Sequence, residues 1–138
     1  FFVIFRFYSF ITRVIYACVR SFVMGNNDWK YLRHFNSHEF SDPDRMRLDF
    51  LQKLDMARSI ADIPFIINSS YRDDDIHSAH ATGRAVDIAC TDSYTRITIV
   101  EALLKVGFSR IGVYPRHVHV DADTQKPQNV LWLGDYSG

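Results

Sequence analysis

Six histidines occur in the 138 residues, and four of them, His77, His80, His117 and His119, lie in or beside two short segments. The first runs Ser78-Ala-His80-Ala-Thr-Gly83-Arg-Ala85-Val-Asp87, the second His117-Val-His119-Val-Asp121. Read as a strand, the second segment alternates faces. His117, His119, Asp121 and Asp123 share one face, and Val118, Val120 and Ala122 share the other. The valine face suits a core. Two imidazoles and two carboxylates are costly to bury unless polar groups or a metal compensate. Alone, this pattern equally describes a solvated edge strand.

The first segment tips that balance. His80 falls in a loop, Gly83 permits a tight turn, and Asp87 sits inside the apolar run Ala85-Val-Asp-Ile-Ala89. A carboxylate so embedded should be partly buried, and buried carboxylates are usually paired or metal-bound. His80 and Asp87 can converge with His119 on one point. Two imidazoles and a carboxylate are good zinc ligands, and three protein ligands leave a fourth position for water.

Other chemistries lack their residues. His38-Glu39 is followed by Phe-Ser-Asp, so no His-Glu-x-x-His zinc helix forms. Neither a Gly-x-Ser-x-Gly elbow nor a phosphate-binding glycine loop is present. Asp73-Asp-Asp75 lacks the glycine and terminal glutamate of a calcium loop and reads as a solvated turn. Cys18 and Cys90 form no Cys-x-x-Cys pair, and nothing in the sequence favours a bridge between them.

The elements that must position these residues follow from pattern. Residues 26–42 are polar with scattered rings (Trp29, Tyr31, Phe35, Phe40), which suggests a wrapped segment pinned by aromatics. Asp42-Pro43 has the form of a helix start, and Phe50, Leu51, Leu54, Ala57 and Ala61 give an apolar stripe ahead of Pro64. Phe65-Ile-Ile67 and Ala85–Ala89 read as strands around a polar loop, 69–84, taken as the active-site loop. A helix is expected over Ser93–Val106, with Ile97, Val100, Leu103 and Leu104 inward and Gly107 at its end. Phe108–Tyr114 and His117–Ala122 read as two further strands. The class is α+β: a small, mostly antiparallel sheet with helices packed against one face, and the metal site at the sheet and the adjoining loop.

Length allows one domain with a real core. Sixteen basic side chains balance sixteen acidic ones, so there is no electrostatic footprint for nucleic acid, and none is expected as a partner. Residues 1–23 form an apolar extension interrupted by Arg6, Arg13 and Arg20. Arginines at that spacing suit neither a membrane-spanning helix nor a signal peptide. An interfacial helix, a degenerate anchor and translated sequence upstream of a start at Met24 remain; the last is favoured. Membrane contact, if any, would run through this segment. Residues 24–138 are expected to form a single domain, monomeric by default.

The motif Ser78-x-His80-x-x-Gly83-x-Ala85-x-Asp87 resembles that of the zinc D-Ala-D-Ala carboxypeptidases, D-Ala-D-Ala dipeptidases and phage L-alanyl-D-glutamate endopeptidases. The preceding Ile67-Asn-Ser-Ser70-Tyr71-Arg72, the early Phe35-Asn-Ser-His-Glu39-Phe40 and the final His119-Val-Asp121 are similar to the short phage and bacterial members. The resemblance spans about residues 30–132. It implies a zinc peptidase of the cell wall, periplasmic or phage-delivered, that cleaves a peptidoglycan stem-peptide bond next to a D-amino acid. It also implies His80, Asp87 and His119 as Zn²⁺ ligands, and Arg72, with Ser78, as substrate-binding, Arg72 on a carboxylate or an oxyanion. Larger members carry an acidic base three residues before the last ligand, where this chain has Arg116. His117 and Asp121 are the substitutes on the same strand face; Asp121 could instead orient a ligand imidazole. The missing acid keeps a second class open, a non-catalytic zinc module binding cell wall or protein.

Overall fold

The structure is a computed structural model, and it describes residues 23–135. Its frame is a five-stranded sheet of β1 (Ile67–Ser69), β2 (Ala85–Ala89), β3 (Arg110–Val113), β4 (His117–Asp121) and β5 (Val130–Leu133). The order is β1-β2-β4-β3-β5, antiparallel except where β5 joins β3 in parallel. Helices α1 (Leu48–Ala61) and α2 (Ser93–Lys105) pack on each other, and α2 packs on β4. The α+β class expected from the pattern is the class observed.

Strand alternation divides the sheet as the sequence predicts. Val86, Ile88, Ile111, Val118 and Val120 are buried in the main core with Leu51, Leu54, Ile99 and Leu103 of the helices. Phe50 meets Phe108 edge-on at 5.6 Å between centroids. Asp87 and His119, on the opposite face, are direct cross-strand partners.

The Asp42-Pro43 helix start is not what forms. Pro43–Arg45 is a separate 3₁₀ turn, Asp42 takes a left-handed φ of 46° without a side-chain cap, and α1 begins at Leu48. Tertiary contacts hold the gap extended: Met46 is fully buried and its carbonyl accepts from Met24, Arg47 bridges to Val23, and Arg47 N–H donates to the Gly83 carbonyl. The first strand lies two residues later than expected, because Ile67 and Ser69 are the residues that find partners on β2. In α2 the N-cap is Asp92, whose carboxylate accepts from Thr95 N–H. Its inward face is Ile99, Ala102 and Leu103; Ile97 and Leu104, expected inside, are exposed. They sit one heptad apart on the side turned away from α1 and β4.

Strand β5 has no counterpart in the expected elements. The wrapped segment is pinned as expected, with Phe40 at 5.5 Å from Trp29 and 5.4 Å from Phe35, although Tyr31 is exposed. Cys90 is a buried free thiol. Cys18 and the apolar extension up to residue 22 lie outside the described residues. Among those described, no helix is long and apolar enough to cross a membrane.

Candidate metal centre

Three elements bring three side chains together. His80 comes from the 3₁₀ turn Ala79–Thr82, Asp87 from the middle of β2, and His119 from the middle of β4. The turn is shaped by its ends. The Ser78 hydroxyl oxygen accepts from His80 N–H at 3.3 Å, and Gly83 closes the turn at φ 70°. A Cβ at Gly83 would run into the Arg45 carbonyl, so both the backbone angle and the space demand glycine.

One candidate ligand atom from each of His80, Asp87 and His119 lies within 4.8 Å of the other two. His80 Nδ1 is 2.6 Å from the Ser70 carbonyl, which accepts only from a protonated nitrogen. Nε2 therefore carries the lone pair. That atom is buried without a hydrogen-bond partner, 3.4 Å from Asp87 Oδ1. An orphaned lone pair beside a carboxylate is costly unless a cation sits between them. The donor set thus fits a zinc ion.

His119 is oriented the same way from the other side. Its Nε2 is 2.9 Å from Asp121 Oδ2 and its Nδ1 is 2.8 Å from Asp87 Oδ1. With Asp121 accepting the Nε2 proton, Nδ1 is left to face the centre. Asp121 is in turn fixed: its Oδ1 accepts from Arg110 Nε at 2.7 Å and from Asp123 N–H at 3.0 Å. A carboxylate behind a metal-facing imidazole is a recurrent way of fixing tautomer and ring angle.

The electrostatics follow. Burial alone would raise the Asp87 carboxyl, but hydrogen bonds and charge from His119 and His80 outweigh it and hold the group well below the ordinary carboxylate range. Asp121 is lowered as well: burial opposes, while His119, Arg110 and the Asp123 amide prevail. Burial works against a charged His119, yet Asp121 and Asp87 raise its pKa. His117 is lowered, chiefly by desolvation, with Asp87 opposing and His119, His80 and Arg72 assisting.

The group floors an open cleft of about 380 Å³. Arg72 lines it with Nη2 4.0 Å from Asp87 Oδ2 and its side chain half-exposed. His117 lines it too, stacked on Tyr114 at 4.3 Å, with Nε2 3.9 Å from Asp87 Oδ1 and beyond hydrogen bonding. Ser78 completes the sequence-derived set at the rim. Arg116, three residues before His119, is exposed and not among the cleft residues.

Residues 34–121 match the family model described as Peptidase M15. That match covers more than half of the chain. The chain belongs to the Peptidase M15 family. It is a metallopeptidase of the zinc-dependent, peptidoglycan-acting kind, and the three-residue group is a fitting site for the metal. No curated protein matches the chain.

Three features of the site escaped the sequence. The Ser70 carbonyl orients His80, and Ser70 itself is buried against Ser41 by hydroxyl hydrogen bonds. Backbone acceptors leave no trace in residue type. Arg110 braces Asp121 across the β3–β4 pair, which needs the strand register to be seen. Trp132 lies on β5, 5.6 Å from the His119 ring. Gly112 makes room for it, since a Cβ there would come within 2.7 Å of the indole.

Proposed function

We propose that this protein is a zinc peptidase hydrolysing a stem-peptide bond next to a D-amino acid, as a carboxypeptidase or an endopeptidase. His80 Nε2, an Asp87 oxygen and His119 Nδ1 hold the metal. The observation that carries this reading is the orphaned His80 lone pair facing Asp87 at the floor of an open cleft. When bound there, zinc supplies Lewis acidity to the scissile carbonyl and the attacking water.

The chain's own groups supply the rest. His117 is the general base: its pKa is lowered, so the imidazole is neutral at neutral pH and can take the water proton at Nε2 and return it to the leaving amine. Stacking on Tyr114 fixes the ring plane. Asp121 has both oxygens engaged, which supports the orienting role for it rather than proton transfer. Arg72 is loosely held and permanently charged, suited to a substrate carboxylate or the developing oxyanion. The Ser78 oxygen already accepts from His80 N–H, leaving its O–H to donate to substrate.

Mass spectrometry of purified peptidoglycan and synthetic stem peptides after incubation with zinc-loaded protein tests this. The expected result is one new amino terminus at a bond flanked by a D-residue. Intact peptides in the presence of stoichiometric zinc would contradict it.

A further inference from the structure

The β5 side of the cleft has no task in the chemistry above. Two cations line it, and they differ. Arg110 is committed: Nε donates to Asp121, Nη1 donates to the Pro127 carbonyl, and the guanidinium lies 5.2 Å from the centre of the Trp132 ring. Lys126 lines the same cleft with a loose partner, Asp123 Oδ2 at 3.8 Å, and a side chain 35% exposed. Trp132, which lines the same cleft, donates its Nε1–H to the Tyr114 hydroxyl at 3.1 Å. The polar edge of the indole is thus satisfied; Arg110 and the His119 ring lie against it, and the half-buried remainder of its apolar surface lines the cleft.

Topology sets these groups opposite Arg72. Arg72 follows β1 and Lys126 precedes β5, and these strands are the two edges of the sheet. Asp87 and His119 lie between them, on β2 and β4. Along one row of the sheet, His119 pairs with Gly112 and Gly112 with Trp132. The two backbones are two strand spacings, about 10 Å, apart, but the Trp132 ring reaches to 5.6 Å from the His119 ring, a distance an extended peptide covers in roughly two residues. A substrate laid across the strands would meet Arg72 at one end and Trp132 with Lys126 at the other.

We propose that Trp132 and Lys126 form a subsite for an acidic residue of the substrate, on the side of the cleaved bond remote from Arg72. The substrate class is then a peptide with carboxylates on both sides of that bond. This rests on the peptidase reading, with Trp132 as an apolar shelf and Lys126 as the counter-ion.

Two synthetic stem peptides test it, one with a free glutamyl α-carboxylate and one with the corresponding carboxamide. Their binding to zinc-loaded protein is measured by calorimetry in the cold, with mass spectrometry tracking their integrity. The acid should bind about fivefold more tightly than the amide, the scale of a partly exposed ion pair. The preference should shrink with added salt. Lys126→Ala should bring the ratio to about one, Lys126→Arg should restore it, and Trp132→Ala should weaken both peptides. Zinc content and thermal melts confirm that the variants are folded. Equal binding of acid and amide, or a preference that survives Lys126→Ala, would overturn the subsite. Selective binding without cleavage on warming would uphold the subsite and count against the peptidase reading; cleavage of both peptides with equal KM would do the reverse.

Discussion

His119 is held by a carboxylate at each ring nitrogen, and that arrangement has a pH signature. Without metal, its raised folded pKa means that the stabilisation is fully present below the ordinary value of 6.5 and is lost as pH rises through the folded value. Asp87 and Asp121 are depressed, so their contribution is present above the ordinary 3.8 and lost as pH falls through their folded values. His117, lowered by burial, works the other way below 6.5, so it is in a His117→Ala background that the metal-free protein should melt at a higher temperature at pH 5 than at pH 8. Calorimetry in chelator checks this; a melting temperature that rises steadily to pH 8 would count against the His119 bridge. The neighbouring residues divide by role. His117→Ala should retain zinc and lower kcat by about 10²–10⁴-fold, the usual share of a positioned acid–base group. Asp121→Asn should act on the metal, weakening zinc by about 10–100-fold as loss of a carboxylate behind a ligand does. Full zinc affinity and no turnover in Asp121→Asn, with His117→Ala nearly silent, would transfer the base role to Asp121.

At the scale of elements, the site is a product of strand alternation and register. Alternation was legible: Val118 and Val120 predict a buried face, which puts His117, His119 and Asp121 on the other. The seven-residue step from His80 to Asp87 was legible as well, since Gly83 marks the turn that lets both reach one point. Register was not. That Asp87 faces His119, and that Arg110 reaches Asp121, depends on which residues of separate strands pair, and alternation within one strand carries no such information. Strand β5 was missed for a related reason: four residues that find their partner by parallel pairing to β3 have too little length to show a period. Arg110 and Asp121 form a buried pair, with side chains 9% and 1% exposed. Arg110→Met would strand the carboxylate, which should cost about 3 kcal/mol of stability and weaken zinc in parallel. Denaturant titration and zinc competition measure the two; unchanged zinc affinity would show that Asp121 keeps its geometry without Arg110.

At the scale of the whole molecule, helix α1 starts late because residues before it are held by distant ones. Met46 and Arg47 are tied to Met24, Val23 and Gly83, contacts no local cap preference anticipates. Met24 is 2% exposed, whereas Val23 is 45% exposed and, among the described residues, bridges to Arg47. A chain starting at Met24 should stay soluble, keep its melting temperature within a few degrees and bind zinc; aggregation would show that residues 1–23 complete the core. The central claim is the metal site itself. Its most direct test is a crystal structure with anomalous scattering measured at the zinc edge. One peak per chain should lie about 2.0–2.2 Å from His80 Nε2, an Asp87 oxygen and His119 Nδ1, with a non-protein fourth ligand open to the cleft. A peak away from these three atoms would contradict the site, and a shell closed by His117 or Asp121 would contradict the enzyme and leave a structural zinc module.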